Sequence, residues 1–293
     1  MIEFIFGEAV KEDRREMPGP KVRLSDSDIR FLIETVAPQL LSRFDVVKND
    51  TQLIEGMLDQ EVEKVFDRIA SSEERVMTSV SPAFLFEVLL RKAARDLRAQ
   101  SYTIEKTGFQ KVPVFDAREV VDFLSQEGTV QYLADMLASF TKVRSFAVAV
   151  RVRKGIWRRF RFSDMDVDSL IKFCEGVDDE HRFALYKRTA DLCLFILGMF
   201  PEYVTQSYQF PLSADVSHVV PRRLAHSAED YEEIGRRFYK LASSHRDAEL
   251  LGLAEVLCRL HEKFTLARKP LIYISENLLK SKKRKLFPSV SSN

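Results

Sequence analysis

The chain has 293 residues, of which 45% are hydrophobic, and its formal net charge at neutral pH is only +1. A chain of this length can bury a sizeable core, either in one large domain or in two smaller ones. Frequent apolar residues and a near-neutral charge exclude an intrinsically disordered protein. The longest apolar run covers residues 192–200. It is shorter than the stretch of about 20 residues that crosses a bilayer, so we expect no membrane span.

The N-terminal residues and the cysteines together favour a reducing environment. Residues 1–17 contain an early acid and a dense run of charges, unlike the basic and apolar layout of a secretory signal. The three cysteines, Cys174, Cys193 and Cys258, lie far apart and form no CxxC pair. We therefore expect free thiols and a cytoplasmic location.

Apolar residues recur at helical spacing along most of the chain, which predicts a mainly α protein. Ser25 and its neighbours are N-cap candidates for the first helix, which Pro38 is expected to kink. Ser81 followed by Pro82 indicates another helix start. In chain order, the predicted helices cover about residues 25–41, 51–69, 81–100, 116–128, 129–140, 166–174, 179–200, 227–244, 247–264 and 268–279.

The helix predicted at 116–128 begins with a capping pattern. Asp116 is placed to accept a hydrogen bond from the amide three residues on, and Glu119 is placed to reach back. Phe115 and Val120 stand where a hydrophobic staple would join them. We therefore predict that Asp116 caps this helix and that Phe115 packs against it.

Residues 142–162 combine strand-like alternation, the single tryptophan and a run of positive charge. Between Asp135 and Asp164 there are eight Lys or Arg residues and no acid, so the rest of the chain is net acidic. This pattern predicts a basic β-hairpin at about residues 146–162. It is also the most distinctive feature of the sequence.

The length of the hairpin loop decides which residues share a face. A two-residue turn at Lys154-Gly155 would pair Val152 with Trp157 and mix apolar with charged groups. A three-residue loop pairs Arg153 with Trp157 and sorts the faces, so we predict the longer loop. One face then carries Val148, Val150, Val152, Phe160 and Phe162, and the other carries Arg151, Arg153, Trp157, Arg159 and Arg161.

The basic face suits a polyanion, because guanidinium groups bind phosphates in pairs of hydrogen bonds and an indole ring stacks on bases. A second set of candidate anion contacts stands in the basic tail, at Lys282, Lys283, Arg284 and Lys285. The competing interpretation pairs these cations with acidic clusters of the same protein or across a dimer. The sequence leaves both readings open and favours intramolecular pairing.

The domain organisation follows from the prolines and the charge runs. We predict a helical domain at 1–200, a proline-containing connection at 201–226, a helical hairpin with a last helix at 227–280, and a disordered basic tail at 281–293. Residues 2–6 are a candidate third strand beside the hairpin. The predicted fold is thus a mainly α, multi-helix globular bundle with one inserted basic β-hairpin.

The helix pair after Ser227 resembles one tetratricopeptide unit. Asp247 and Arg259 depart from that pattern, and no second copy follows, so an ordinary helical hairpin is favoured. The residues that carry the resemblance are Tyr231, Ile234, Gly235, Phe238, Leu251 and Ala254.

Catalytic and metal-binding signals are weak. The sequence contains no phosphate-binding loop motif, no GxSxG and no HExxH. Cys258 with His261, and Asp178 with His181, have the spacing of paired metal ligands, but no second pair accompanies either, so we predict no metal or cofactor. In the proline-containing connection, His218, Arg222, Arg223 and His226 are the remaining candidate site residues.

The function that the sequence favours is a non-catalytic helical interaction or adaptor protein with a protein partner. The alternative is a nucleic-acid-binding protein that uses the arginine-rich hairpin and the basic tail. An enzyme of unrecognised type and a homo-oligomer both stay open.

Overall fold

The computed structural model describes residues 24–71, 80–107, 110–142, 145–153, 156–163, 165–202, 204, 226–279 and 282–287. For residues 106, 107, 110, 111, 145–153, 156–163 and 284 it describes the backbone alone. The predicted mainly α fold with an inserted basic hairpin is confirmed. A second hairpin, which the sequence analysis did not predict, lies at residues 103–114.

The chain packs as two compact units, each made of segments that are distant in sequence. The first unit contains residues 20–141 and 269–286, and the second contains residues 1–19, 142–268 and 287–293. The boundaries thus follow Thr141 and Arg268, whereas the sequence suggested one at 201–226. Residues 205–225 lie outside the described residues, as do residues 2–6, so the surface connection and the third strand stay predictions.

The first unit is helical apart from the unpredicted hairpin. Its longest helix, α5, packs against α7 and buries Phe84, Phe86, Leu89 and Leu90. In chain order its elements are α1 (Asp26–Val36), a 3₁₀ helix (Pro38–Arg43), α2 (Phe44–Val47), α3 (Thr51–Gln60), α4 (Val62–Ser71), α5 (Pro82–Ala99), β1 (Thr103–Thr107), β2 (Gln110–Val114), α6 (Ala117–Leu124) and α7 (Thr129–Ser139).

The second unit contains the basic hairpin and a helical core. Helix α9 is buried nearly all round and packs against α10, which in turn packs against α12. Its elements are β3 (Ser145–Arg153), β4 (Ile156–Ser163), α8 (Val167–Glu175), a 3₁₀ helix (Asp179–His181), α9 (Phe183–Met199), α10 (Ala228–Ser243), α11 (Arg246–Leu250) and α12 (Ala254–Glu262). Helix α13 (Phe264–Tyr273) crosses the boundary, and a π-helix (Ile274–Leu279) and α14 (Lys283–Leu286) follow it.

Local sequence signals explain several helix ends. Ser25 and Ser227 form capping boxes with Asp28 and Asp230, and the Ser81 hydroxyl accepts from the Phe84 amide. The predicted helix at 51–69 is two helices, and the one at 247–264 is also divided, by Gly252 at a φ of 67°. Left-handed backbone of this kind is cheap only for glycine, so the helix stops there.

The start of the basic tail is ordered. Residues Lys283–Leu286 form a short helix, and the Phe287 ring is fully buried against Phe195 and Phe200 within the second unit. This differs from the disordered tail predicted for 281–293. Phe287 explains the difference, because burying a phenyl ring stabilises the backbone that carries it.

Candidate interaction surface

The unpredicted hairpin, β1 with β2, exposes large apolar side chains on one of its faces. Its register pairs Thr103 with Val114, Ile104 with Pro113, and Glu105 with Val112. Successive side chains of a strand point to opposite faces. The hairpin therefore has an inner face, which carries Thr103 and Glu105, and an outer face, which carries Ile104 and Pro113.

The inner face is held by a buried lysine. Lys269, on α13, has a side chain that is only 6% exposed, and its Nζ lies 2.6 Å from Glu105 Oε1. The same ammonium contacts Asp116 Oδ2, and the Thr103 hydroxyl donates to Asp116 Oδ1 at 2.5 Å. Two carboxylates thus compensate one buried cation, and this ion cluster joins both ends of the hairpin to α13.

The capping interaction predicted for Asp116 is wrong. Asp116 does occupy the N-cap position of α6, but its side chain makes no capping hydrogen bond. Lys269 and Thr103 instead donate hydrogen bonds to its two carboxylate oxygens. The predicted hydrophobic staple is wrong too, because Phe115 is 79% exposed. A charge-assisted bond to a buried ammonium is stronger than a capping bond, which accounts for the outcome.

The outer face is apolar and exposed. Tyr102 and Phe115 lie edge to face with ring centroids 6.2 Å apart, next to Ile104, which is 47% exposed. With Pro113 these residues line an open cavity of about 460 Å³. We call this set of four residues, Tyr102, Ile104, Pro113 and Phe115, the apolar face.

Exposed apolar residues are concentrated on this hairpin. Among the described residues, eight large hydrophobic side chains are exposed, and three of them, Tyr102, Ile104 and Phe115, belong to the apolar face. A fourth, Val112, pairs with Glu105 and so lies on the opposite face of the same hairpin. The other four are Val46, Leu53, Leu241 and Leu250, which stand singly on separate elements. Scattered apolar residues are ordinary, whereas a contiguous patch marks an interaction site.

This surface was not predicted from the sequence, because the apolar and polar positions of the strands are inverted. An amphipathic strand normally buries its apolar alternate residues. Here Thr103 and Glu105 are turned inward, while Ile104 is exposed. The alternation of residues 102–105 and 112–115 around Gly108 was the one available signal, and it would have indicated a hairpin without showing which side faces water.

The basic hairpin, β3 with β4, has a different register from the predicted one. Trp157 pairs with Arg151 rather than with Arg153, and Arg153 pairs with Ile156. The strands are thus separated by two residues instead of three. A bulge between Arg151 and Arg153 inserts Val152, and the extra residue restores the predicted parity of the two strands.

The observed pairing places most of the candidate anion-binding residues at alternate positions of the two strands that share one parity. Odd-numbered residues of β3 pair with odd-numbered residues of β4 up to Arg151, and this set includes Arg151, Trp157, Arg159 and Arg161. Arg153 falls beyond the bulge. Because only the backbone of these strands is described, the two-faced arrangement of their side chains stays a prediction.

The structure places the basic tail residues in different surroundings. Lys283 Nζ lies 2.9 Å from the Ser275 hydroxyl oxygen, and Lys282 Nζ lies 3.5 Å from the Ala70 carbonyl oxygen. Lys285 is exposed, and the side chain of Arg284 lies outside the described part. Lys282 and Lys283 therefore contact their own chain.

Of the loop candidates, only His226 lies in the described part of the chain. His218, Arg222 and Arg223 fall within residues 205–225, which are not described. His226 Nε2 lies 2.9 Å from Asp168 Oδ1, and its ring meets the Tyr231 ring edge to face. The contact with Asp168 attaches His226, which precedes the N-cap residue of α10, to α8.

The residues considered as metal ligands have other contacts. His261 Nδ1 lies 3.0 Å from the Arg236 carbonyl oxygen, and Cys258 Sγ lies 3.7 Å from Glu262 Oε1. No group of three His, Cys, Asp or Glu side chains suited to a metal occurs among the described residues. Burial raises the pKa of the Cys174 thiol to about 11 and that of the Cys193 thiol further, so both are weak nucleophiles.

A separate charge cluster stabilises the second unit. Arg236 donates to Glu232 Oε1 from Nε and Nη2, and the Thr265 hydroxyl donates to the same oxygen at 2.7 Å. Burial alone would raise the pKa of Glu232, but these hydrogen bonds and the nearby charge of Arg268 lower it overall. Glu232 is therefore a structural anion.

Comparison with known proteins does not add a function. No helix among the described residues combines the length and the apolar composition needed to cross a membrane. The chain matches no known protein family model, and no curated protein and no solved structure matches it either.

Proposed function

We propose that this chain is a non-catalytic protein-interaction module that binds a protein partner through the apolar face of the β1–β2 hairpin. The observation that carries the proposal is the exposed trio of Tyr102, Ile104 and Phe115 around an open cavity. Fully burying one large apolar side chain stabilises a complex by about 1.5–3 kcal/mol. Covering this face therefore adds an apolar contribution to the stability of a complex.

The rigid support of the hairpin favours the same function. The ion cluster of Lys269, Glu105 and Asp116 fixes the inner face, so presenting the apolar face requires little ordering. Preorganised surfaces lose less entropy on binding. The buried free thiols of Cys174 and Cys193 accord with a cytoplasmic location, which is part of this proposal.

The test is affinity capture from native cells with three forms of the chain: wild type, Phe115→Ser and Leu250→Ser. Leu250 is 70% exposed and lies on α11 in the second unit, which makes it a matched control. We expect a stoichiometric protein partner with wild type and Leu250→Ser, and its loss with Phe115→Ser. Equal recovery of the same partner with Phe115→Ser would refute the proposal.

A second candidate function is nucleic-acid binding by the basic hairpin. The observed parity favours it, because Arg151, Trp157, Arg159 and Arg161 belong to one alternating set. Arginines beside an aromatic residue are typical of surfaces that bind phosphates and stack on bases. The acidic remainder of the chain competes for the same cations, and for this reason we rank this function second.

Salt dependence tests the second candidate. The affinity of wild type for a single-stranded DNA fragment is measured over a range of salt and compared with a variant in which Arg151, Arg159 and Arg161 are changed to Glu. Three phosphate contacts on single-stranded DNA give a slope of log K against log salt of about −2. Absence of binding at low salt excludes this function.

A further inference from the structure

The β1–β2 hairpin leaves two strand edges without a strand partner in the described part of the chain. Its sheet contains only these two strands. An unpaired strand edge offers backbone donors and acceptors to an incoming extended segment. The two edges differ, however, in what they offer.

Pro113 distinguishes the edges. Proline has no N–H, so its place in an antiparallel ladder is a position where the backbone groups point away from the partner strand. Pro113 pairs with Ile104. The backbone N–H and C=O of Ile104 therefore point to the open edge of β1, whereas the outer edge of β2 lacks a donor at Pro113.

The apolar face lies beside the open edge. An added strand that pairs with Ile104 places its alternate side chains on the same side of the sheet as Ile104, along the β1 border of the apolar face. Backbone bonds to β1 supply affinity, and contact with the apolar face favours large apolar side chains on that side of the added strand.

The charges around the hairpin favour an acidic partner. Glu105 and Asp116 share the single positive charge of Lys269, so this cluster keeps a net charge of −1. The strands also carry Lys106 and Lys111, and Arg98 and Arg118 are exposed at the two ends. Glu119 is the one further acid between residues 98 and 119. This excess of cations attracts an acidic segment and disfavours edge pairing between two copies of the chain.

We propose that the open edge of β1 binds an extended acidic protein segment with alternating large apolar residues, as an added β-strand. This inference rests on the proposed function, because it assigns the partner's chemistry to the same surface. Strand addition makes two independent demands, for the Ile104 backbone and for the apolar face.

The experiment measures fluorescence anisotropy of a labelled probe peptide, Glu-Val-Glu-Phe-Glu-Val-Glu, with the full chain. Its lysine counterpart, Lys-Val-Lys-Phe-Lys-Val-Lys, should bind at least about tenfold more weakly, a difference that corresponds to about 1.4 kcal/mol. Two further probes are N-methylated, one at the amides of the apolar residues and the other at the amides of the acidic residues.

In a strand, the amides of alternate residues point to the same edge. One N-methylated probe should therefore lose at least about tenfold in affinity while the other keeps it. Loss with the apolar residues methylated indicates antiparallel addition to β1, and loss with the acidic residues methylated indicates parallel addition. Equal binding of both methylated probes overturns strand addition.

Two variants of the chain test the edge itself. Ile104→Pro removes the N–H that points outward and should weaken the probe at least about tenfold, whereas Ile104→Thr keeps it and should bind more tightly than Ile104→Pro. Circular dichroism checks the fold of Ile104→Pro. If this variant misfolds, the methylated probes with the wild-type chain test strand addition.

The outcomes separate this inference from the proposed function. If all probes fail while capture of a native partner still requires Phe115, the interaction module stands and acidic strand addition falls. If wild type forms dimers in analytical ultracentrifugation that Ile104→Pro abolishes, a second copy occupies the edge and this inference is overturned.

Discussion

The two hairpins of this protein differ in their strand pairing and in the charges that they carry. The β1–β2 hairpin turns Thr103 and Glu105 inward onto Lys269 and exposes its apolar alternate residues. The β3–β4 hairpin has the charge run and the tryptophan that drew notice in the sequence, and its parity depends on a bulge. When buried charges attach a hairpin to a helix, as in β1–β2, the apolar residues of the hairpin are not needed for that attachment and can be exposed.

The largest effect on stability is expected when the buried cation of the β1–β2 hairpin is removed. Lys269→Met leaves Glu105 and Asp116 without their ammonium partner, and we expect a loss of about 3 kcal/mol in the free energy of unfolding. Urea unfolding measures this loss. Adding Glu105→Gln and Asp116→Asn to the same chain should recover part of it, since the orphaned charges are then removed.

A loss of less than about 1 kcal/mol in Lys269→Met would contradict the charge-held arrangement, because it would place the cluster among ordinary surface ion pairs.

The Glu232 cluster, which belongs to the second unit, gives a reference for the contribution of a partly buried charge to stability. Glu232→Gln loses the charge-assisted bonds from Arg236 and should reduce the free energy of unfolding at pH 7 by about 1–2 kcal/mol. Because the pKa of Glu232 is lowered on folding, its contribution is present above its ordinary pKa and is lost as pH falls.

The difference between wild type and Glu232→Gln should therefore shrink below about pH 4. Urea unfolding at several pH values checks this, and a difference that grows towards acid pH would exclude the assigned direction.

Single-residue deletions in β3 test the bulge of the β3–β4 hairpin. Val152 is the extra residue of the bulge, so its deletion leaves the pairing of Arg151 with Trp157 intact and should cost less than about 1 kcal/mol. Deletion of Val148, the control, reverses the parity of the strand before it and should cost roughly twice as much or more. Thermal unfolding of both chains compares them, and equal costs would argue against the bulge.

The smallest effect on stability is expected at the apolar face. Phe115 is 79% exposed, so Phe115→Ser should change the free energy of unfolding by less than about 0.5 kcal/mol. The same change should abolish partner capture. Urea unfolding of this variant beside wild type tests the separation of stability from binding, which a structural role for Phe115 would not produce.

Helical periodicity and capping residues were sufficient to predict most of the fold. Ser25, Ser81 and Ser227 begin helices as expected, because their capping bonds involve residues only three positions away. Asp116 shows the limit of that reasoning. Its partner Lys269 is far along the chain, and no local pattern indicates such a contact.

The candidate surface was harder to predict for the same reason. Residues 102–115 alternate, but only the position of Lys269 shows which alternate set is buried. In the basic hairpin, parity followed from the sequence, whereas the bulge at Val152 did not, since a loop of three and a loop of two with a bulge give the same sorting. Local sequence rules thus predicted secondary-structure elements, but they did not determine which face of a hairpin is buried or where a bulge lies.

The most direct test of the interaction surface is amide hydrogen exchange of the full chain with and without the acidic probe peptide. Binding at the open edge of β1 should protect the Ile104 amide, and it should leave the amides of β3 and β4 unchanged. Unchanged exchange at Ile104 would contradict binding at the open edge of β1, and protection confined to β3 and β4 would instead place the binding site on the basic hairpin.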